Sequence, residues 1–547
     1  MSAEAFVGLR HDDMTKNAKI FATVGVGLAL FLAALDQTIV GTALPRIVAE
    51  LNGIEYYAWV VTSYMVASTT LTPIAGKLGD LFGRKPFLLA GMIGFVAASA
   101  LCGQAQNMTE LVAFRGIQGI FGGVLFASVF ATLADLFPPS VRAKMQGLFG
   151  GIFGLASIVG PTIGGYLTDN VGWRWVFYVN VPVGVLAVAV VFLTLPRTKH
   201  ESSWRDIDFI GAGLLAVAIV PMLIAFSITR DHELLSPEVL GLLAFSALAW
   251  VVFFFVERRE AHPMVPFELF ANRTFSVSVI VGFLVSFGMF GAILYVALIY
   301  QGVLGIPATN SGLLVTPLML GMIVSSVVTG QLMVRIPRYR YIGTVGLSVM
   351  VVGLWLLSAV GVGTPETDVV RDLVLIGIGM GVAMPLYVNA TQSALPHQYL
   401  GVSTSQIQFW RNIGSTVGVA ILGAVLSHEL PTKIQTNVAA LNLPPQFAQA
   451  IPTGSSAQTI FDPAQIAATR ASLPPQALPM FDQVLVAVRS ALAGATHDVF
   501  VYAAAVALIA VVASVFLKDV PLRGHTPREV QEIRDAEARE EVPAFGK

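Results

Sequence analysis

The chain has 547 residues, of which 55% are hydrophobic and only 12% are charged, and its mean hydropathy is +0.75. Soluble proteins carry about a quarter charged residues, so this composition excludes an ordinary soluble domain and indicates a protein that crosses a membrane repeatedly. The formal net charge of −1 provides no basic surface for a nucleic-acid partner. The single cysteine, Cys102, excludes an intramolecular disulfide, and the eight histidines show no spacing typical of a metal site.

Apolar segments of about 20 residues, the length that crosses a bilayer core, recur along the chain. The polar stretch 1–19 leads into the first of them without a small-residue cleavage site, so we expect a cytoplasmic N-terminus and an uncleaved first span. Fourteen spans are predicted in total. Their approximate limits are 20–42, 56–75, 86–105, 109–131, 145–168, 175–195, 208–228, 238–256, 275–301, 311–334, 341–362, 371–393, 403–426 and 499–517.

The positive charges of the loops are distributed unevenly. Most of them fall on the side of the N-terminus, and the opposite loops hold only Arg46, Arg174, Arg230 and Arg371. Because cationic loops stay on the cytoplasmic side, this asymmetry predicts that both termini are cytoplasmic. The segment 428–498 is too polar to cross and is therefore expected outside.

Two ionisable residues interrupt the apolar spans at a similar predicted depth. Asp36 lies in span 1, and Arg115 begins the sequence Arg-Gly-Ile-Gln-Gly in span 4. An ionised carboxylate inside a membrane is costly unless it is paired or protonated. Burial favours the neutral acid and a nearby guanidinium favours the carboxylate, so such a pair is able to exchange a proton as its surroundings change. We predict proton coupling at Asp36 and Arg115, with a purely structural ion pair as the alternative.

The loop between spans 2 and 3 reads G-K-L-G-D-L-F-G-R-K over residues 76–85. Its glycines permit a tight turn, and its charges place it in water. Asp80 is able to pair with neighbouring cations or to face the N-terminus of another helix, where the helix dipole favours an anion. Such a contact is able to break and re-form, which predicts a conformational latch. The latch residues are Gly76, Asp80, Gly83, Arg84 and Lys85.

A partial second copy of this loop occurs at 330–338, where the sequence is G-Q-L-M-V-R-I-P-R. Gly330 aligns with Gly76, and Val334 stands in the place of Asp80. Parallel halves related by an axis along the membrane normal put both loops on the same face. The sequence therefore predicts two six-helix halves with spans 7 and 8 inserted between them, a chance match being the alternative.

Span 5 is rich in small residues, with Gly160, Pro161, Gly164 and Gly165 close together. Small residues let two helix backbones approach closely, and Pro161 weakens the local hydrogen-bond ladder. Helix packing is a sufficient physical explanation of this pattern.

These motifs together resemble those of the major facilitator superfamily. The 76–85 loop is similar to its signature loop, and G-P-x-x-G-G in span 5 is similar to the motif of its antiporters, although Ala156 stands where the longer motif usually has glycine. Further similarity to the fourteen-helix drug:proton antiporter branch is found at residues 35–45, 115–119, the aromatic run 173–182 and the Arg-Asn-Ile-Gly sequence 411–414. The resemblance extends from Ile20 to Lys518.

The resemblance implies an all-α major facilitator fold with fourteen spans. The implied divisions are a cytoplasmic N-terminus at 1–19, a six-helix bundle at 20–197, two inserted helices at 198–260, a second bundle at 261–518 that includes the extracytoplasmic segment 428–498, and a disordered cytoplasmic tail at 519–547. It also implies that Asp80 meets the start of span 13, near Gly401 and Ser403, in the outward-facing state.

The function implied by the resemblance is that of a secondary transporter, not an enzyme. It would export amphipathic or lipophilic drugs across a bacterial cytoplasmic membrane in exchange for protons, by alternating access, as a monomer. No cofactor is expected, since the chain has no GxxxxGK[ST] phosphate loop and a proton gradient supplies the energy. A lipid or glycolipid exporter of the same fold is the main alternative. A membrane enzyme or receptor is less favoured, because the loops show no catalytic cluster.

The expected substrates are neutral or monocationic, because Asp36 is the only convincing carboxylate at mid-membrane and a dication would need more counter-charge. A few polar and aromatic groups are available to line the cavity. They are Phe290, Tyr295, Asn389, Gln408 and Arg411. Snorkelling of Arg411 to the cytoplasmic surface is an alternative for that residue.

One further helix is predicted inside the extracytoplasmic segment. Apolar residues recur there at helical spacing. They are Phe481, Val484, Leu485, Val488, Ala491 and Leu492. We expect an amphipathic helix that lies on the membrane surface or over the cavity and offers a surface to an extracytoplasmic partner.

Overall fold

The structure is a computed structural model whose regular structure is helical. It describes residues 16–51, 56–196, 207–229, 235–260, 263–304, 315–336, 338–396, 399–441, 470–471 and 478–519. Within these ranges there are fifteen α-helices and no β-strand. The predicted N-terminal segment 1–19 and C-terminal tail 519–547 lie almost wholly outside the described residues.

The helices follow the predicted spans closely. The first seven are α1 (Lys16–Leu51), α2 (Tyr57–Phe82), α3 (Arg84–Gln104), α4 (Met108–Leu136), α5 (Pro139–Asn170), α6 (Trp175–Tyr178) and α7 (Asn180–Thr194). The others are α8 (Phe209–Ile228), α9 (Pro237–Glu257), α10 (Arg273–Leu298), α11 (Thr316–Arg335), α12 (Arg340–Ser358), α13 (Glu366–Ala394), α14 (Leu400–Ala439) and α15 (Leu478–Val515).

Twelve candidate spans in the described part of the chain are long and apolar enough to cross a membrane. The two remaining predicted spans, 56–75 and 275–301, fall on α2 and α10. Helix α2 carries Lys77 and Asp80, and the apolar stretch found on α10 is the shorter Arg273–Met289. An all-helical, multi-pass membrane protein is thus confirmed, and the count of fourteen spans stays a prediction.

Local sequence explains where several helices begin and end. Gly83 alone separates α2 from α3, and its φ of +92° is a conformation that glycine adopts without strain. Asn107 caps α4 by accepting a hydrogen bond of 2.8 Å from the N–H of Glu110. Asn272 caps α10 in the same way through the N–H of Thr274, at 3.0 Å. These caps fix the ends of helices whose apolar faces alone would leave the ends undefined.

The two halves meet in a repeated arrangement. Helices α1–α7 pack mainly on one another, as do α10–α15, and the halves touch chiefly through α2 with α14 and α5 with α11. A Cβ on Gly76 would lie 2.9 Å from the carbonyl oxygen of Gly401 at the start of α14. A Cβ on Gly330 would lie 2.5 Å from that of Ala143 at the start of α5. The aligned glycines therefore permit equivalent close contacts at one end of the molecule, which we call the loop end.

The inserted helices α8 and α9 flank the seam between α2 and α14. Thr62 of α2 and Ser227 of α8 share a hydrogen bond of 2.6 Å. Trp250 of α9 stacks on Trp410 of α14, with ring centroids 6.4 Å apart. Both contacts attach the inserted pair to the two helices that close the seam.

The structure differs from the prediction in the segment after span 13. Helix α14 runs on to Ala439, and α15 is continuous from Leu478 to Val515. The predicted amphipathic helix is thus the first part of the last span's own helix. Its apolar face packs against the extension of α14, with Val488, Ala491 and Leu492 in one cluster with Ile434 and Val438. Two positions were expected for this helix, on the membrane surface or over the cavity; in the structure its apolar face packs against α14. Residues 442–469 and 472–477 lie outside the described residues.

Candidate functional site

Asp36 lies at the centre of a buried polar cluster in the first half. Its Oδ2 is 2.7 Å from Nη1 of Arg115. Its Oδ1 accepts hydrogen bonds from the side-chain amides of Gln118, at 2.9 Å, and Asn180, at 2.8 Å. Asp36, Gln118 and Asn180 have no exposed surface, and Arg115 is 2% exposed. The sequence-predicted pair is therefore in direct contact, and three donors from α4 and α7 hold the carboxylate of α1.

Arg115 is held by more than its ion partner. Its Nε donates to the carbonyl oxygen of Val60 at 3.3 Å, and its Nη1 also donates to Oε1 of Gln118 at 2.8 Å. Its guanidinium lies 4.4 Å from the ring centroid of Tyr64, a cation–π contact. Because a buried ion pair is tolerated only when its remaining donors and acceptors are satisfied, these contacts explain how the charges are kept inside the helix bundle.

Gln118 and Asn180 lie within the sequence motifs 115–119 and 173–182, but the sequence alone predicted no role for either residue. Gln118 follows Arg115 by one helical turn, so both side chains share a face of α4. Asn180 lies within the aromatic run 173–182 and is the first residue of α7, and it also donates to Oγ of Ser99 at 2.9 Å. An amide within an otherwise apolar span was the feature of the sequence that pointed to them, because such a group must find partners inside the protein.

The antiporter-like motif of α5 packs against α1 beside Asp36. A Cβ on Gly160 would lie 2.0 Å from Oγ1 of Thr38, and one on Gly164 would lie 2.3 Å from Oγ1 of Thr42. Gly165, by contrast, faces open space within 4 Å. Two of the predicted glycines are therefore required by close helix packing, and Gly165 is not.

The residue Ala156 does not prevent this close approach. It is fully buried, and its carbonyl oxygen accepts a hydrogen bond from Oγ1 of Thr38 at 3.3 Å. The departure from the family pattern at this position therefore leaves α1 and α5 in contact.

The predicted loop 76–85 is helical except at Gly83, and Asp80, in the last turn of α2, lies against the start of α14. Its Oδ1 accepts from the backbone N–H of Gly401 at 3.1 Å, and its Oδ2 accepts from that of Val402 at 2.8 Å. Arg84 forms an ion pair with Asp80 and donates to Oδ2 of Asp135 at 3.1 Å. The positive end of α14 and Arg84 thus stabilise one buried carboxylate, in the geometry that the resemblance implied for the latch.

The last latch residue, Lys85, binds at the end of a different helix. Its Nζ donates to the carbonyl oxygens of Phe192, at 2.7 Å, and Leu195. These carbonyl groups end α7, where the helix dipole favours a cation. Lys85 therefore fixes the loop within its own half, whereas Asp80 joins the two halves.

Further polar contacts close the seam at the loop end. Gln146 of α5 donates to the side-chain oxygen of Gln392 at 2.8 Å, and Gln392 donates to Oγ1 of Thr404 at 2.8 Å. Ser326 of α11 donates to the carbonyl oxygen of Gly147 at 3.1 Å. The bonds of Gln146 and Ser326 join α5 of the first half to α13 and α11 of the second half, so polar contacts other than those of Asp80 also cross the seam.

The aromatic run is tied to the opposite end of α1. Arg174 forms an ion pair of 2.6 Å with Glu50 and stacks over the ring of Trp173. The hydrogen bond from Arg174 holds the pKa of Glu50 below its ordinary value. The pair is partly exposed, and it attaches the end of α1 to the turn before α6.

A cavity lies between the halves. Its apolar wall consists of Met65, Phe126, Phe130, Phe153, Met289 and Met384. Its polar lining consists of Gln37, Ser68, Thr69, Thr72, Ser286, Gln408, Arg411, Asn412 and Ser415. Of the predicted cavity residues, Gln408 and Arg411 are here. A mixed lining of this kind suits an amphipathic small molecule.

The other predicted cavity residues lie elsewhere. Tyr295 is 5% exposed and donates to the carbonyl oxygen of Val419 at 3.3 Å. Asn389 is fully buried and donates to the carbonyl oxygen of Pro385 at 3.1 Å. Both therefore lie in the packing of the second half, not along the wall described above. The side chain of Phe290 is outside the described part of the chain.

Helical bundles of this topology, with a cavity between two halves and a buried acid in one of them, are typical of transporters. Residues 26–419 match the family model of the Major Facilitator Superfamily. The chain therefore belongs to this superfamily, and it is a multi-pass membrane transporter, not an enzyme.

Two relatives come from Bacillus subtilis (strain 168). Multidrug transporter protein MdtP is 37% identical over 532 residues, which cover 95% of this chain and 97% of that protein. Multidrug resistance protein 3 is 35% identical over 502 residues, which cover 91% and 94%.

The fold is also found among solved structures. A bacterial homologue of the human lysosomal transporter Spinster, in an inward-facing and unoccupied conformation, matches with a TM-score of 0.55 at 16% identity. The match covers 94% of this chain and all of that one. At this identity the likeness shows the shared fold alone.

Proposed function

We propose that this protein exports lipophilic small molecules, including drugs, in exchange for protons. Both Bacillus relatives carry names that refer to multidrug transport or resistance, and each aligns with more than nine-tenths of this chain. The cavity between the halves, with aromatic and methionine walls, is of a kind that accepts varied amphipathic molecules. We further propose that fourteen helices cross the membrane, with the loop end in the cytoplasm.

The observation that carries the proton-coupling part is the cluster around Asp36. This is a fully buried carboxylate held by Arg115, Gln118 and Asn180. Its neighbour in sequence, Gln37, lines the cavity, and the cation–π partner Tyr64 precedes the cavity residue Met65. Protonation of Asp36 would weaken three charge-assisted contacts between α1 and the helices α4 and α7. The same segment of α1 contributes Gln37 to the cavity wall. Proton binding at Asp36 and substrate binding in the cavity would therefore both affect α1.

Alternating access supplies the cycle. The contacts of Asp80 with α14 and the hydrogen bond between Gln146 and Gln392 close the loop end, so this conformation separates the cavity from that side. We propose that it is an outward-facing state, with Asp80 holding the closed cytoplasmic seam. Release of Asp80 from α14 would then accompany opening to the cytoplasm.

Reconstitution into proteoliposomes tests the proposal. A lipophilic dye is loaded, and its movement is followed with an imposed pH gradient, with the gradient reversed, and with none. The account predicts transport whose direction follows the gradient and which does not need ATP. Transport that ignores the gradient, or that requires a nucleotide, would contradict it.

A further inference from the structure

Arg411 differs from Arg115, which is buried in the helix bundle, in having no ionic partner among the described residues. Arg115 contacts a carboxylate, an amide, a carbonyl group and an aromatic ring. For Arg411, no hydrogen bond or ion pair is found in the described part of the chain. Its aliphatic stem packs against α10, where a Cβ on Gly282 would lie 3.2 Å from its Cγ. The stem is therefore held while the guanidinium faces the cavity.

The position of Arg411 on α14 explains why its side chain faces the cavity. Gln408, Arg411, Asn412 and Ser415 are spaced as one face of a helix, and all four line the cavity. Nε2 of Gln408 donates to the side-chain oxygen of Asn412 at 3.0 Å. The amides thus bind one another and leave the guanidinium free for a ligand.

The described lining of the cavity therefore carries a positive charge and no negative one. Among the lining residues that the structure describes, Arg411 is the only one with a formal charge, and none is a carboxylate. Asp36 has no exposed surface and is turned into its own half. A cation that enters the cavity meets repulsion there, whereas an anion meets an unpaired guanidinium in a weakly solvated place.

We infer that the cavity binds amphipathic organic anions, with the acidic group of the substrate on Arg411 and its apolar body on the Phe and Met wall. A guanidinium binds a planar or tetrahedral oxyanion through paired N–H donors, and such charge-assisted bonds are among the strongest in proteins. The inference rests on the proposed export function and specifies its substrate class. The sequence-based expectation was a neutral or monocationic substrate; the inference revises its monocationic part, since no carboxylate is found among the described lining residues.

The charge carried per cycle follows from this assignment. If a monoanion leaves as a proton enters, both movements carry positive charge in the same sense, toward the cytoplasm. A membrane potential that is negative inside then drives export in addition to the pH gradient. For a neutral substrate, only the proton contributes.

Three matched probes test the inference in proteoliposomes with an imposed pH gradient. They are the permanently ionised naphthalenesulfonate, the neutral naphthalenesulfonamide and the naphthyltrimethylammonium cation. The variants are Arg411→Gln, which removes the charge, and Arg411→Lys, which keeps it. Arg335→Gln is the control, because Arg335 is exposed at the end of α11 and remote from the cavity.

We expect the wild-type protein to export the sulfonate at least about tenfold faster than the cation. Arg411→Gln lowers sulfonate export about tenfold and leaves sulfonamide export within about twofold. Arg411→Lys retains most sulfonate export, and Arg335→Gln matches the wild type. A negative internal potential accelerates export of the sulfonate more than that of the sulfonamide.

Three outcomes overturn the inference, and the last of them leaves the export function intact. One is export of the cation as fast as the sulfonate by the wild-type protein, a comparison that needs no variant to fold. The second is an equal loss of all three probes in Arg411→Gln, which assigns Arg411 a structural role. The third is gradient-driven export of the sulfonamide without the sulfonate, which refutes the anion site. Gradient-independent behaviour of every probe refutes the export function itself.

Discussion

Asp80→Asn should open the seam at the loop end without unfolding the protein. The Asp80 carboxylate accepts two backbone N–H groups at the start of α14, at 3.1 and 2.8 Å. Asparagine has one oxygen, so one of the two bonds is lost and the other no longer involves a charge. Charge-assisted hydrogen bonds contribute about 1.5–3 kcal/mol each, and a helix N-terminus stabilises an anion by about 0.3–2 kcal/mol. We expect a net loss of about 1.5–2 kcal/mol for the closed form, which lowers the ratio of closed to open molecules about 10- to 30-fold.

Thiol labelling measures this shift. Val388 lines a second cavity on the loop side, so Val388→Cys reports opening to that side, while the natural Cys102 is fully buried. The labelling rate with a membrane-impermeant maleimide should rise by the same about 10- to 30-fold in Asp80→Asn. The melting temperature should fall by only a few degrees, because a loss of this size is modest in a large domain.

Asp135→Asn is the matched control for Asp80→Asn. Asp135 pairs with the same Arg84, at 3.1 Å, but lies on α4 in the same half. Its change removes a carboxylate that pairs with Arg84 and keeps both hydrogen bonds from the start of α14 to Asp80. An unchanged labelling rate in Asp80→Asn, or an equal rise in both variants, would refute the latch. The same labelling assay then shows whether Arg84 or the start of α14 is the partner that matters.

Three other changes give separate tests. Asn180→Ala removes one of the three donors that hold the buried carboxylate of Asp36 on α1, so gradient-driven transport should fall, and transport at the wild-type rate would contradict this role of Asn180. Gly164→Ala should destabilise the protein by about 1–3 kcal/mol through overpacking, whereas Gly165→Ala should leave the melting temperature unchanged, because no atom lies within 4 Å of its added methyl group. Leu492→Ala should lower the free energy of unfolding by about 2–5 kcal/mol, since Leu492 is 1% exposed between the extensions of α14 and α15. Val486→Ala should lower it little, because Val486 is 51% exposed. Equal melting temperatures of the two variants would count against the packed extension.

Much of the architecture was predictable because apolar length and loop charge are local properties of the chain. The run of apolar spans predicted the helices, and two charges at one depth predicted the contact between Asp36 and Arg115. The glycine alignment predicted equivalent positions for Gly76 and Gly330. Each of these inferences needed only the spacing of residues and the cost of placing charge or backbone in lipid.

What escaped prediction depends on which helix lies beside which. The spacing of Val488 and Leu492 predicted an amphipathic helix but did not reveal that α14 extends far enough to cover it. The sequence could not distinguish an Arg411 that snorkels to the surface from one that faces a cavity, since both fit the same helix position. Tyr295 was placed in the cavity on residue type alone, whereas the packing of α10 on α14 turns its hydroxyl to a backbone carbonyl.

The central claim is that Asp36 carries the coupled proton, and Asp36→Asn is its most direct test. Removing one partner of a buried ion pair costs about 3–5 kcal/mol, so the double variant Asp36→Asn/Arg115→Gln, which removes both charges, is measured beside it. Two activities are compared in proteoliposomes: uphill export driven by a pH gradient, and exchange of labelled for unlabelled substrate without a gradient.

The account predicts that both variants lose gradient-driven accumulation at least about tenfold, because no group at this position is left to bind the proton. Exchange should continue in at least one of them, since exchange needs the moving cavity but no proton. Gradient-driven accumulation at the wild-type rate in either variant would contradict the assignment of Asp36.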